Sequence, residues 1–190
     1  MHNFTPCYNV RSFGIFPHLA FMQASKGYLL FVVLLALCCT MNVALASDEG
    51  KPAPQFHAHL SDGNNVSNTS VTGKVVLLHF WATWCDGCRA EMPALNTYYQ
   101  QHQKDGLQVV AISLDEAKDD ALVQQVASQF LFPFAYERDS THDAYGRVWI
   151  MPMTFVIDRN GILQKDGSAH PWVMTAATLD QIVTPLLSDH

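Results

Sequence analysis

The pattern of apolar and polar positions alternates between strand-like and helix-like segments along the second half of the chain. Val75–Trp81 (VVLLHFW) is a short, nearly unbroken apolar run, as expected of a strand covered on both faces of an α/β sheet. Leu107–Ser113 repeats that pattern. Between them, from Cys85 to about Lys104, Gly and Pro are sparse and Met92, Leu95, Tyr99 and His102 recur at helical spacing. Pro93 should kink this helix rather than end it, because the pattern continues beyond it. Asp119 to Phe130 reads as a second amphipathic helix, with Leu122, Val123, Val126 and Phe130 on one side. Two such strand–helix units in succession imply parallel strands. A polar connection through Asp139 to Gly146 follows, and then two short apolar runs, Met153 to Ile157 and Ile162 to Lys165, flank the hairpin turn Asp158-Arg159-Asn160-Gly161. Thr178 to Leu187 closes the chain as a helix presenting Leu179, Ile182, Val183 and Leu186, with Pro185 disturbing its last turn. Lys51 to Thr72, rich in Pro, Ser, Asn and Gly, reads as an irregular lead-in hairpin. The expected fold is α/β: a mixed central sheet flanked by helices, with an N-terminal hairpin.

The first part of the chain follows a different logic. Lys26 precedes an apolar run from Gly27 to Leu37, and Ala44-Leu45-Ala46 leads into polar Ser47-Asp48-Glu49. This is the pattern of a secretory leader with an A-x-A-like cleavage site. Residues 1–46 are therefore read as an N-terminal extension and signal peptide, and 47–190 as one folded domain in the periplasm. The alternative is an uncleaved membrane anchor, although Thr40 and Asn42 shorten the clean apolar run. Met22 would begin a leader of more ordinary length. Leu37 before Cys38 argues against a lipid anchor. At 190 residues the chain suits one domain plus an appendage, and its net charge of -6, with no Lys/Arg cluster, argues against nucleic acid as a partner.

Of the five cysteines, Cys7, Cys38 and Cys39 lie in or before the leader, leaving Cys85 and Cys88 for the domain. A bridge closing so small a loop restrains the unfolded chain little, so the pair is there for chemistry rather than as a staple. No second pair completes a structural zinc site. At the junction of a buried strand and a helix, the first sulfur meets free backbone N–H groups and the positive end of the helix dipole, which favour its thiolate. Cys85 is then the nucleophile. Cys88, one turn inside the helix and less exposed, attacks the mixed disulfide formed on Cys85 and releases the substrate.

The segment Phe80-Trp81-Ala82-Thr83-Trp84-Cys85-Asp86-Gly87-Cys88-Arg89-Ala90-Glu91-Met92-Pro93, together with Met151-Pro152-Met153-Thr154-Phe155-Val156-Ile157-Asp158, resembles the thioredoxin-fold family of exported reductases represented by TlpA and ResA. The resemblance runs from about Pro54 to the C-terminus. It implies a thioredoxin-like fold with an inserted βα unit, for which Leu107 to Phe130 is the match, and action on protein disulfides outside the cytoplasm, as in cytochrome c maturation. By the same resemblance Cys85 and Cys88 are the redox-active disulfide. Pro152 is the cis-proline against which an incoming peptide is held, with Met151 before it and Trp84 as parts of the docking surface. Glu91 matches an acidic position near the active site, where it would move a proton or tune the thiol; its other reading is an ordinary favourable charge in the first turns of a helix. Trp84 could equally be a packing residue. The partners implied are disulfide-containing proteins, apocytochrome c among them, and an integral membrane thiol carrier as electron donor. No cofactor is expected, since no nicotinamide fingerprint is present, and the chain is read as a monomer.

Two positions depart from the family pattern. His79 stands where thioredoxins have a buried acid; it is either a proton relay to Cys88 or a satisfied core histidine. Asp86-Gly87 replaces the proline-containing dipeptides common between such cysteines, which frees the turn and adds a negative charge opposing the thiolate. Two other functions share parts of the pattern. A copper-delivery protein would use both cysteines and a distant histidine, for which His170 is the candidate. A peroxidase would carry Thr and Pro where Ala82 and Leu78 stand, and is disfavoured. His57 and His59 read as exposed hairpin residues, the Asn65 and Asn68 sequons as relevant only in a eukaryotic secretory pathway, and Asp115 to Asp120 as a solvated helix start.

Overall fold

The computed structural model describes residues 48–188, so the expected leader and anchor lie outside the described residues. In chain order the elements are β1 (His57–Leu60), β2 (Asn65–Ser67), β3 (Val75–Trp81), α1 (Asp86–His102), β4 (Leu107–Ser113), α2 (Asp120–Ala127), β5 (Phe134–Thr141), β6 (Met153–Ile157), β7 (Leu163–Lys165), α3 (Ala176–Ile182) and α4 (Thr184–Ser188). The strands form one sheet in the order β2-β1-β5-β4-β3-β6-β7. β3 runs parallel to β4, and β4 to β5, as two successive βα crossovers require. β6 and β7 complete one side antiparallel, and the β1–β2 hairpin completes the other. Among the described residues no helix is long and apolar enough to cross a membrane.

Every residue of β3 is buried, which is why its sequence shows no polar alternation. Its side chains nevertheless divide by parity. Leu77 and Trp81 join Met92 and Leu95 of α1, Val123 of α2 and Leu179 of α3 in one apolar cluster. Val76, Leu78 and Phe80 join Phe56, Val71, Tyr145 and Phe155 in a second. His79 has the parity of Leu77 and Trp81, which places it on the face that carries α1.

Three elements differ from the sequence reading. β5 is a strand the sequence does not show, its end running into the expected polar connection from Asp139, because half of its residues are exposed and only Ala135 is buried. Its backbone ladders to β1 and β4 hold it without an apolar stripe. α2 ends at Ala127, and it buries Val123 and Ala127 while Leu122 stays exposed. The C-terminal helix begins at Ala176, capped by a reciprocal Thr175–Thr178 box. It is interrupted after Ile182, and Pro185 sits in the first turn of α4, where its missing N–H has no helical partner to lose.

Candidate active site

The site begins where β3 stops. Cys85 N–H bonds the Ala82 carbonyl at 3.1 Å, turning the chain out of the sheet, and Cys85 then adopts an extended backbone conformation (φ −87°, ψ 99°) as the N-cap of α1. Its Sγ takes the place usually filled by a serine or aspartate oxygen and accepts the Cys88 N–H at 3.1 Å. One otherwise orphaned helix donor is thus aimed at the sulfur. Cys85 and Cys88 are joined in a disulfide with Sγ–Sγ 2.07 Å. Cys85 is 8% exposed and Cys88 0%, so only the first cysteine keeps any exposure to solvent.

The turn carrying Cys85 is fixed by a carboxylate that the sequence reading assigned to a solvated charge run. Asp115 is buried, just past the end of β4, and its oxygens accept the Thr83 N–H at 3.0 and 3.2 Å, the Thr83 hydroxyl at 2.6 Å and the Ser113 hydroxyl at 2.8 Å. Glu116 and Lys118 of that run are exposed and paired on the surface as expected, while Asp120 is half-buried and pairs with Arg138. The available signal was polar Ser113 closing an otherwise apolar strand, a sign of a polar demand at that end.

Opposite the disulfide, Met151–Pro152 is a cis peptide, as the resemblance implied. A Cβ at Gly87 would stand 3.3 Å from Pro152 Cδ, which explains what the glycine between the cysteines provides: the proline loop lies against the first turn of α1 with no room for a comfortable side chain. Met151 packs on the apolar cluster that includes both cysteines. Trp84 is 65% exposed, so it is not a packing residue. Asp86 is also exposed and pairs with Arg89, which partly neutralises the charge it brings beside the sulfurs.

Two buried titratable side chains, Glu91 on α1 and His79 on β3, lie on the elements that flank the cysteine turn. Glu91, one helical turn past Cys88, is buried, and its Oε2 has no hydrogen-bond partner among the described residues. Burial pushes its carboxyl up to about 7 from an ordinary 4.5, while a backbone hydrogen bond from Met174 pulls the other way without compensating. It is thus no ordinary first-turn charge. His79 is fully buried with Nδ1 at 2.9 Å from the Thr154 hydroxyl. That hydroxyl also lies 3.9 Å from Met174 Sδ. Its Nε2 is buried with no hydrogen-bond partner among the described residues, and burial lowers the imidazole to about 4, so it is neutral near pH 7. Thr154 on β6 and Met174 before α3, which meet these two titratable groups, were not singled out by the sequence.

The remaining candidates lie elsewhere. His170 Nδ1 is 3.7 Å from Glu49 Oε1 on the loop after β7, and no group of three or more His, Cys, Asp or Glu side chains among the described residues could hold a metal ion. His57 and His59 are exposed on the hairpin, the latter 3.0 Å from Asn65 Oδ1. Asn68 has a structural task, its amide bonding Phe56 N–H at 2.8 Å and the Pro54 carbonyl at 2.9 Å.

Residues 49–166 match the AhpC/TSA family. The chain is 35% identical over 150 residues to the thiol-disulfide oxidoreductase ResA of Geobacillus thermodenitrificans, covering 77% of this chain and 81% of that protein. It is also 35% identical over 136 residues to the thioredoxin-like protein YneN of Bacillus subtilis, covering 70% and 77%. Among solved structures, a thiol:disulfide interchange protein of the thioredoxin family from Chlorobium tepidum superposes with a TM-score of 0.60 at 26% identity, over 75% of this chain and 99% of that one. With a redox-competent cysteine pair at a strand–helix junction and these relatives in sequence and fold, the chain belongs to the AhpC/TSA family and is a thiol-disulfide oxidoreductase of the ResA type.

Proposed function

We propose that this protein is exported, with residues 1–46 as leader and 47–190 as the working domain, and that it reduces disulfides of periplasmic proteins such as apocytochrome c. The observation that carries the reading is the asymmetry of the pair: Cys85 caps α1 and keeps a slight exposure of 8%, and Cys88 is fully buried. The Cys85 thiolate attacks a substrate disulfide, forming a mixed disulfide and releasing one substrate thiolate. Cys88 then attacks Cys85 Sγ, expelling the second substrate sulfur and closing the intramolecular bridge. Two electrons pass from the dithiol to the substrate, and an integral membrane thiol carrier returns them.

Trp84, Met151 and Pro152 hold the substrate chain during this exchange. Glu91 is half-protonated near neutral pH by virtue of its burial, so it can take a proton from Cys88 as that thiol becomes a nucleophile and return it as the bridge reopens. His79, with its unpartnered Nε2, is the second buried titratable group on the same face. The protein works as a monomer.

The test is capture. Cys88→Ala retains the attacking sulfur and loses the resolving one, so it should accumulate mixed disulfides with exported polypeptides, whereas Cys85→Ala should not. Absence of any covalent polypeptide partner with Cys88→Ala would refute the assignment.

A further inference from the structure

The segment that meets Glu91 is itself held from outside the site. Met174 donates its backbone N–H to Glu91 and ends the loop that runs from β7 to α3. Two contacts fasten that loop to β6. Gly167 lies so close to Thr154 that a Cβ there would come within 2.7 Å of the Thr154 nitrogen, and the Trp172 indole N–H bonds the Thr154 carbonyl at 3.0 Å. Thr154 is also the partner of His79. The loop thus meets one buried titratable group of the site directly and the other through Thr154.

The loop opens with a turn that closes on itself. Asp166 is buried, and its Oδ1 accepts the Ser168 N–H at 2.9 Å, the Ser168 hydroxyl at 2.6 Å and the Ala169 N–H at 3.2 Å. These bonds shape the turn without fixing its orientation. Orientation comes from the start of the domain. Gly50 N–H bonds the Leu163 carbonyl at 2.8 Å and Leu163 N–H the Lys51 carbonyl at 2.9 Å, which lays this segment along β7. From there Glu49 reaches over the turn: its Oε1 accepts the Asp166 N–H at 3.0 Å and lies 3.4 Å from Lys165 Nζ and 3.7 Å from His170 Nδ1. The Asp166 hydrogen bond, opposed by burial and aided by Lys165 and His170, lowers the Glu49 carboxyl, so it stays ionised where Glu91 titrates.

Resting on the reading of Glu91 as proton acceptor for Cys88, we infer that Glu49 is a positioning residue for the redox site: through the 166–174 loop it holds the Met174 backbone against the Glu91 carboxyl. Losing that hold lets the loop open locally and admits water to a carboxyl that is now buried. No charged side chain among the described residues contributes to the Glu91 shift, so the effect travels through burial. The titratable groups on the elements around Glu91 are Cys85 and Cys88 on α1 and His79 on β3, the last neutral near pH 7. Those around Glu49 are Asp48, Lys51, Lys165, Asp166 and His170.

The experiment uses the full chain in its disulfide form with carbon-13 at the glutamate carboxyls, of which the sequence has four. The Glu91 signal is the one absent from Glu91→Gln. Its chemical shift, followed from pH 4 to 9, should titrate with a midpoint near 7 in the unaltered protein. In Glu49→Ala the midpoint should fall by about one pH unit, toward that of a hydrated carboxyl. Glu49→Gln keeps an oxygen for the Asp166 N–H and should restore most of the difference. Lys51→Ala removes only the exposed pair with Asp48 and should change nothing. The same proteins, reduced, are then mixed with 5,5′-dithiobis(2-nitrobenzoate) in a stopped-flow instrument. In the second release Cys88 gives its proton to Glu91, its sulfur bonds Cys85 Sγ, and thionitrobenzoate leaves with the electron pair of the broken bond. The pH midpoint of that release should move with the Glu91 carboxyl. A Glu91 midpoint that stays in place in Glu49→Ala, or falls equally in Lys51→Ala, overturns the inference and leaves the reading of Glu91 standing. A midpoint that falls while the second release does not follow also overturns it. A second release with the same pH dependence in Glu91→Gln as in the unaltered protein overturns the reading of Glu91, and the inference with it.

Discussion

Replacing Glu91 with glutamine should remove one part of the protein's pH dependence. Burial holds the Glu91 carboxyl at about 7 in the fold against an ordinary 4.5. Between these values the folded chain keeps a proton that the unfolded chain has released, so stability from this group is greatest at low pH and falls as pH rises from 4.5 to 7. At about 1.4 kcal/mol per tenfold change in proton affinity, the ionised carboxylate costs the fold about 3 kcal/mol at pH 8. Glutamine keeps an oxygen for the Met174 N–H and removes the ionisation. His79 acts in the opposite direction, since its imidazole is lowered from 6.5 to about 4: the unfolded chain binds the extra proton, and stability is lost as pH falls through that interval. The two slopes offset one another between 4.5 and 6.5 in the unaltered protein. Urea unfolding of the disulfide form, followed by tryptophan fluorescence from pH 4 to 8, isolates the Glu91 contribution as the difference between variant and unaltered protein, because all other groups cancel. That difference should favour glutamine increasingly with pH and level off above 7, having grown by about 3 kcal/mol. A difference that stays constant from pH 4 to 8 would refute the claim that this carboxyl is held protonated by its surroundings.

Other parts of the account are open to simple substitutions. Asp115→Ala strands the Thr83 N–H and two hydroxyls in a buried site, so it should destabilise the fold by about 3 kcal/mol in urea titration and slow alkylation of reduced Cys85, whereas a surface control, Glu116→Ala, should do neither. Gly167→Ala would drive a Cβ into the Thr154 carbonyl oxygen and to within 2.7 Å of its nitrogen; calorimetry should show a loss of about 2 kcal/mol or more, because the obstacle is backbone. Arg159 donates to the carbonyls of Gly73, Asp105 and Leu187 at 2.7–2.9 Å, so Arg159→Ala should loosen the C-terminal helix, seen as faster amide exchange in α4 than in β3.

Much of the scaffold was legible in sequence because its strongest signals are local. β3 and β4 are buried on both faces and so read as unbroken apolar runs, and the two cysteines at the mouth of the following helix mark their chemistry by position alone. β5 was not legible, because its stability comes from ladders on both sides and its sequence resembles a loop. The environment of the cysteines was only half legible. Glu91 and His79 could be named, but what alters them is burial together with Met174 and Thr154, which arrive from distant parts of the chain. Asp115 was misread for the same reason: as a residue in a charged stretch it looks solvated, and only the fold shows that it alone of that stretch turns inward to hold Thr83.

The division of labour between the two sulfurs is tested most directly by reacting the reduced protein with 5,5′-dithiobis(2-nitrobenzoate) and weighing the products. The unaltered protein should release two equivalents of thionitrobenzoate and end as the intramolecular disulfide. Cys88→Ala should release one equivalent and retain the other as an adduct on Cys85, and Cys85→Ala should react far more slowly because its remaining thiol is buried. Equal reaction rates for the two single variants would contradict the assignment of Cys85 as the attacking sulfur and Cys88 as the resolving one.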